Sequence, residues 1–110
     1  MNTRFEYLYR DTDNYKTWHT VIVSGRLNAA QIRSCLHEDD FFLPVQVGLN
    51  ALQPDPATVR DHIWHEVGEI NETEDPPTIK LTAQELLRAF QTAKQQGWDE
   101  MGAMKRMGMV

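Results

Sequence analysis

The segment Asp61-His62-Ile63-Trp64-His65-Glu66-Val67 decides the fold, because it reads two ways. It holds two of the chain's four histidines and one of its three tryptophans, beside two acids. Read as a strand, its side chains alternate. His62, Trp64 and Glu66 then share one face, while Ile63, His65 and Val67 share the other. Read as a helix, Asp55 caps it and Pro56 occupies its first turn. Val59, Ile63 and Val67 line its inner face until Gly68 stops it. The helix would project His62, His65, Glu66 and Glu69 together, at a spacing that can ligate a metal. The strand would point the two histidines apart.

Upstream, Arg4 to Arg10 alternates, with Phe5, Tyr7 and Tyr9 on one side, the pattern of a half-buried strand. Asp11-Thr12-Asp13-Asn14 is a polar turn. A second strand from about Tyr15 to Ser24 completes a hairpin and assigns Trp18 to core or sheet packing. Asn28 can cap a helix that runs to about His37, with Ala29, Ile32, Cys35 and Leu36 inward. Phe41 to Val47 reads as a third strand, with Pro44 at an edge or a bulge. Gly48 to Arg60 and Asn71 to Pro77 read as long surface loops. Thr82-Ala83-Gln84-Glu85 is a capping box. Ala83, Leu86, Leu87, Phe90 and Ala93 follow at helical spacing, and Gly97 ends that helix. The expected architecture is a single α+β domain over residues 1–97, in the order β-β-α-β-β-α, with an antiparallel sheet carrying two helices on one face. A third helix at 55–67 is the alternative. Residues 98–110 stand apart as a Met-rich C-terminal tail, read either as a docking extension or as a frayed end.

The 110 residues are 41% hydrophobic and 25% charged, as in an ordinary globular protein. The single cysteine, Cys35, excludes an internal disulfide and fits a reducing cytoplasm. No run approaches the roughly 18 apolar residues of a membrane span. The first residues also lack the apolar region of a secretory leader. The expectation is a cytoplasmic protein with no membrane partner. Net charge is −5, and ten of the sixteen acids but only two of the eleven bases lie between residues 38 and 80. That field disfavours nucleic acid and would attract a basic protein surface. A solvated acidic loop is the plainer reading of the same charges.

Tyr9-Arg10-Asp11, Asn14-Tyr15-Lys16, Phe41-Phe42, Pro44-x-Gln46-Val47-Gly48-Leu49 and Asp61-His62-x-Trp64-His65-Glu66 recur together in other sequences. On these motifs the chain resembles a group of small uncharacterised bacterial and mobile-element proteins of about this length. The likeness covers residues 7–96 and leaves out the tail. It brings no activity with it. Similar sequences carry proline at the position of Ile63, which favours the strand reading of 61–67, whereas Asp55 and Pro56 here favour a helix start.

Three functions remain open on the sequence. The first is a non-enzymatic protein-interaction module, a regulator or inhibitor, with Trp64, Glu66, Trp98, Met101 and Met104 as binding residues and a partner with a basic surface. It needs no cofactor. The second is a metal-dependent hydrolase holding a divalent metal, such as zinc, on His62, His65 and Glu66. The order His-x-x-His-Glu is not that of the zincins, and a zinc site wants a further ligand. The third is a homo-oligomer assembled through the tail. Around the first turn, Arg10 and Lys16 with two tyrosines could hold a phosphate or a base, but pairing with Asp11 and Asp13 is the simpler use of those cations.

Overall fold

A computed structural model describes residues 1–53 and 62–109. Four strands form one antiparallel sheet: β1 (Asn2–Arg10), β2 (Lys16–Val23), β3 (Phe41–Phe42) and β4 (His65–Thr73), in the spatial order β2-β1-β4-β3. The helices among the described residues are α1 (Ala29–Arg33), α2 (Ala83–Gln96) and α3 (Glu100–Arg106). None of them is long and apolar enough to cross a membrane. The expected α+β domain, with α1 and α2 on one face of the sheet, is the observed one.

The alternation in β1 sets the layers. Phe5, Tyr7 and Tyr9 are buried on one face, and their partners on β2 and β4 continue it: Phe5 faces Val21 and Ile70, Tyr7 faces His19 and Val67, Tyr9 faces Thr17 and His65. Phe42 of β3, Ile32 and Leu36 at α1, and Leu86 and Phe90 of α2 close the main core over that face. Burying such a side chain contributes roughly 1.5–3 kcal/mol. The opposite face carries Arg4, Glu6, Arg10, Trp18, Thr20 and Glu66, which are exposed or half-buried, beside the buried Leu8 and Ile22. The strand register shifts between Phe5 and Tyr7, opposite Gly68. There the Glu69 amide donates to the Glu6 carboxylate, which fills the space a Gly68 side chain would need.

Several expectations are corrected. Residues 54–61, including Asp55, Pro56 and Val59, lie outside the described residues, but His65–Thr73 is strand, so a helix does not run on to Val67. That strand extends through Thr73, into the expected Asn71 to Pro77 loop. The third strand is only Phe41–Phe42; Pro44–Val47 is a 3-10 turn, since Pro44 has no amide for a ladder. Trp18 is not core: it is 52% exposed on the opposite face.

The capping box of α2 is formed in both directions, Glu85 N–H to Thr82 Oγ1 at 3.1 Å and Thr82 N–H to Glu85 Oε1 at 3.0 Å. Those backbone and hydroxyl bonds hold the Glu85 carboxyl below its ordinary pKa. Asp99 caps α3 by accepting from the Gly102 amide at 3.0 Å. Gln46, on the 3-10 turn, accepts from the Asp99 amide at 2.9 Å and fixes the junction of α2 and α3. A second, smaller core results: Leu43, Ile63, Ala103 and Met109 are buried together, with Trp64, Trp98, Met104 and Met107 packed against them.

Candidate functional site

The approach to β4 is extended, and its alternation is the one the strand reading predicts. Ile63 and His65 are buried; His62, Trp64 and Glu66 lie half-buried on the opposite side.

His65 is fully enclosed. Its Nε2 accepts from the Leu52 amide at 3.0 Å, so Nδ1 bears the proton and donates to the Ile63 carbonyl at 2.9 Å. Burial pushes its pKa down to about 4; the bond to Ile63 works against that shift, and nearby His62 adds to it. The neutral ring is thus a fixed bracket between β4 and the loop after Leu49. Tyr7 supports the same loop, its hydroxyl donating to the Asn50 carbonyl at 2.7 Å, and burial raises its pKa to about 12. His62 also has both ring nitrogens engaged. Nδ1 accepts from the Trp64 amide at 3.2 Å, and Nε2 lies against the Arg10 carbonyl, to which it donates in the matching tautomer. A metal on His62, His65 and Glu66 would have to break these backbone bonds. The strand also directs His65 inward and Glu66 outward. Among the described residues no group of three or more His, Cys, Asp or Glu side chains could hold a metal ion.

Glu66 meets Arg10 instead. Arg10 Nε donates to Glu66 Oε2 at 2.9 Å and Nη2 to Oε1 at 3.5 Å, while Nη1 reaches Asn14 Oδ1 at 2.6 Å. The acid paired with Arg10 is therefore Glu66, rather than Asp11 or Asp13 as expected. Asp11 is occupied locally, accepting from the Asp13 and Tyr15 amides at 2.9 and 2.8 Å.

Trp64 stacks on His37, ring centroids 4.5 Å apart and planes within 13°. His37 is presented by a tight turn in which its amide donates to the Phe41 carbonyl at 2.7 Å and the Phe41 amide returns to the His37 carbonyl at 2.9 Å. Closing that turn requires Glu38 and Asp39 at φ 51° and 68°, left-handed conformations that cost a non-glycine residue on the order of 1–2 kcal/mol.

These pieces enclose an open bowl of about 460 Å³ on the sheet face that carries Arg10 and Glu66. The His37, Trp64 and Phe41 rings form its apolar wall. Among the described residues, Asp11, Glu38 and Glu66 set three carboxylates against the Arg10 guanidinium, and His62 completes the rim. Sequence reasoning found Trp64, Glu66 and His62 here. It missed His37, Glu38 and Phe41, which reach the bowl only through the 37–41 turn, and it did not assign Arg10 to Glu66.

The other expected binding residues lie elsewhere. Trp98 donates from Nε1 to the Cys35 carbonyl at 3.0 Å and packs edge-on against Phe90. It also lines a larger cleft, about 810 Å³, between α2 and α3. Met104 packs into the second core, and Met101 is 57% exposed. Trp98 and Met104 are joined to Trp64 by that core, where all three pack against one apolar cluster, and Met101 is not part of it. Comparison with protein families, curated proteins and solved structures finds no match.

Proposed function

We propose that this protein is a non-enzymatic interaction module that binds another protein by taking a lysine or arginine side chain into the bowl at Trp64. The observation that carries the reading is the bowl itself: among the described residues it sets three carboxylates against one guanidinium, beside an apolar ring wall. An aliphatic stem finds the His37, Trp64 and Phe41 rings, and its charged head finds Glu38 and Asp11. Glu66 is already neutralised by Arg10 and serves to hold the floor in place. The acids at 38–40 continue the negative field outward, which speeds encounter with a basic surface. The proposed setting is the cytoplasm, in keeping with the free, buried thiol of Cys35.

Titration of the isotope-labelled protein with a short lysine- and arginine-containing peptide tests this. Shifts should concentrate on the Trp64 indole, His37 and the 38–41 amides, fade as salt rises past about 0.15 M, and disappear in Trp64→Ala. An acidic peptide that shifts the same resonances equally, or a basic peptide that shifts none, overturns the reading. The hydrolase alternative draws no support from imidazoles whose nitrogens are all engaged by backbone.

A further inference from the structure

The outer edge of β2 is treated differently along its length. Its inner end is covered. The Ile22 amide donates to Thr78 Oγ1 at 2.8 Å, the Thr78 amide returns to the Ile22 carbonyl at 2.9 Å, and the Ala83 amide donates to the Ser24 carbonyl at 2.8 Å. Because Ile22 and Ser24 bond outward, the alternation of an antiparallel ladder also turns the amides and carbonyls of Lys16, Trp18 and Thr20 away from β1. Pairing of β1 with β2 is regular from Thr3 opposite Val23 to Arg10 opposite Lys16, so no bulge breaks this phase. Among the described residues nothing pairs with those groups. All side chains from Lys16 to Thr20 are exposed, and Tyr15 beside them is 78% exposed.

We infer that this open edge pairs with the same edge of a second copy, giving a twofold dimer with one continuous sheet. The free stretch is symmetric about Trp18, which is what an isologous contact requires. Trp18 faces Trp18 across the axis, and Lys16 of each copy faces Thr20 of the other. About six hydrogen bonds form, two at each outward-facing pair. The register has stops at both ends: Thr78 already occupies Ile22, and Asn14, at φ 66°, turns the chain away beyond Lys16. No like charges oppose each other. Thr20 is the cross-strand neighbour of Glu6, so Lys16 of one copy lies one strand beyond Thr20 from the acid of the other, on the same face. The seam covers the half-exposed indole. Trp18 lies beside Leu8, which is 4% exposed on that same face, and pairing aligns Leu8, Trp18, Trp18 and Leu8 in one apolar row. A protein normally blunts a bare edge of this kind with charges, a proline or a covering segment. From Lys16 to Thr20 the edge has one charge, Lys16, and no proline. Here the cover stops at Ile22, where the symmetric stretch begins.

Sedimentation velocity of the full chain over a concentration series, with amide exchange followed by NMR, tests the proposal. The expected result is a reversible dimer in which the Lys16, Trp18 and Thr20 amides become at least tenfold more protected as concentration rises. Thr17 and His19, bonded to β1, should be slow throughout. In Thr20→Pro the lost amide is one that no intramolecular bond uses, so the monomer should fold and the dimer weaken by more than tenfold. Trp18→Asp, which sets two carboxylates face to face, should do the same. A chain that stays monomeric at high concentration overturns the inference. So does a dimer whose Lys16, Trp18 and Thr20 amides exchange at a concentration-independent rate, or one that folded Thr20→Pro and Trp18→Asp leave intact. The peptide titration at the bowl reads separate residues, so either proposal can fail alone.

Discussion

His65 shows how a residue that looks like a ligand can be a bracket. Its two nitrogens close two backbone gaps, and the enclosure that makes those bonds strong also resists protonation. The native pKa of about 4 lies below the ordinary 6.5. The unfolded chain therefore binds a proton that the native one refuses, and stability falls as pH drops from about 6.5 towards 4. The full contribution, present above 6.5, is on the order of 3 kcal/mol. Urea midpoints measured between pH 7 and 5 should decline in the wild type and stay flatter in His65→Phe, which also leaves the Leu52 amide unpaired. That variant should be less stable at pH 7 by about 1–3 kcal/mol. At Trp64 the expected effect is on binding as well as stability, since its ring packs on the second core while lining the bowl.

At the scale of elements, the 37–41 turn is the strained component. Asp39→Gly, at φ 68°, should raise stability by about 1 kcal/mol, read as a higher melting temperature. Glu38→Gln should leave melting near the wild type and weaken the basic peptide. The cap of α2 offers the opposite sign: Thr82→Ala removes the hydroxyl that accepts from Glu85 and should lower stability by about 1 kcal/mol. These elements also mark what the sequence could reveal. β1 and α2 were legible because one apolar face repeats at a single period, and β2 from its Val21-Ile22-Val23 run after a polar turn. The 61–67 segment admitted both a strand and a helix on its residues, since its alternation and the Asp55-Pro56 start signal point different ways. The 37–41 turn was not legible, because two left-handed residues without glycine are imposed by the pairing of His37 with Phe41. Strand β3 was overextended because Leu43 and Val45 keep the alternation going, although Pro44 cannot join a ladder. The length of β4 was missed because polar Asn71, Glu72 and Thr73 pair only with the start of β1. Glu66 was picked out, but its partner Arg10 lies 56 residues away and carries no local signal.

At the scale of the whole molecule, two cores share one chain. The larger belongs to the sheet, α1 and α2. The smaller joins Leu43, Ile63 and the last helix, and supports Trp64 from behind. Removing residues 98–109 should therefore disturb Trp64 as well as expose Leu43 and Ile63. The truncated chain should melt earlier and bind the basic peptide more weakly, although no removed residue lines the bowl. The methionines of this second core give the molecule a chemical weak point. Met101 stands 57% exposed, whereas Met109 is 8% exposed. Peroxide should reach the exposed Met1 and Met101 first and change little. Oxygen added at Met104, Met107 or Met109 would make a thioether polar inside an apolar cluster, loosening the clamp on the last helix and, through it, the Trp64 ring. A methionine sulfoxide reductase that restored those sulfurs would restore the clamp, so the peptide affinity of this protein should follow the oxidation state of its own C-terminal end.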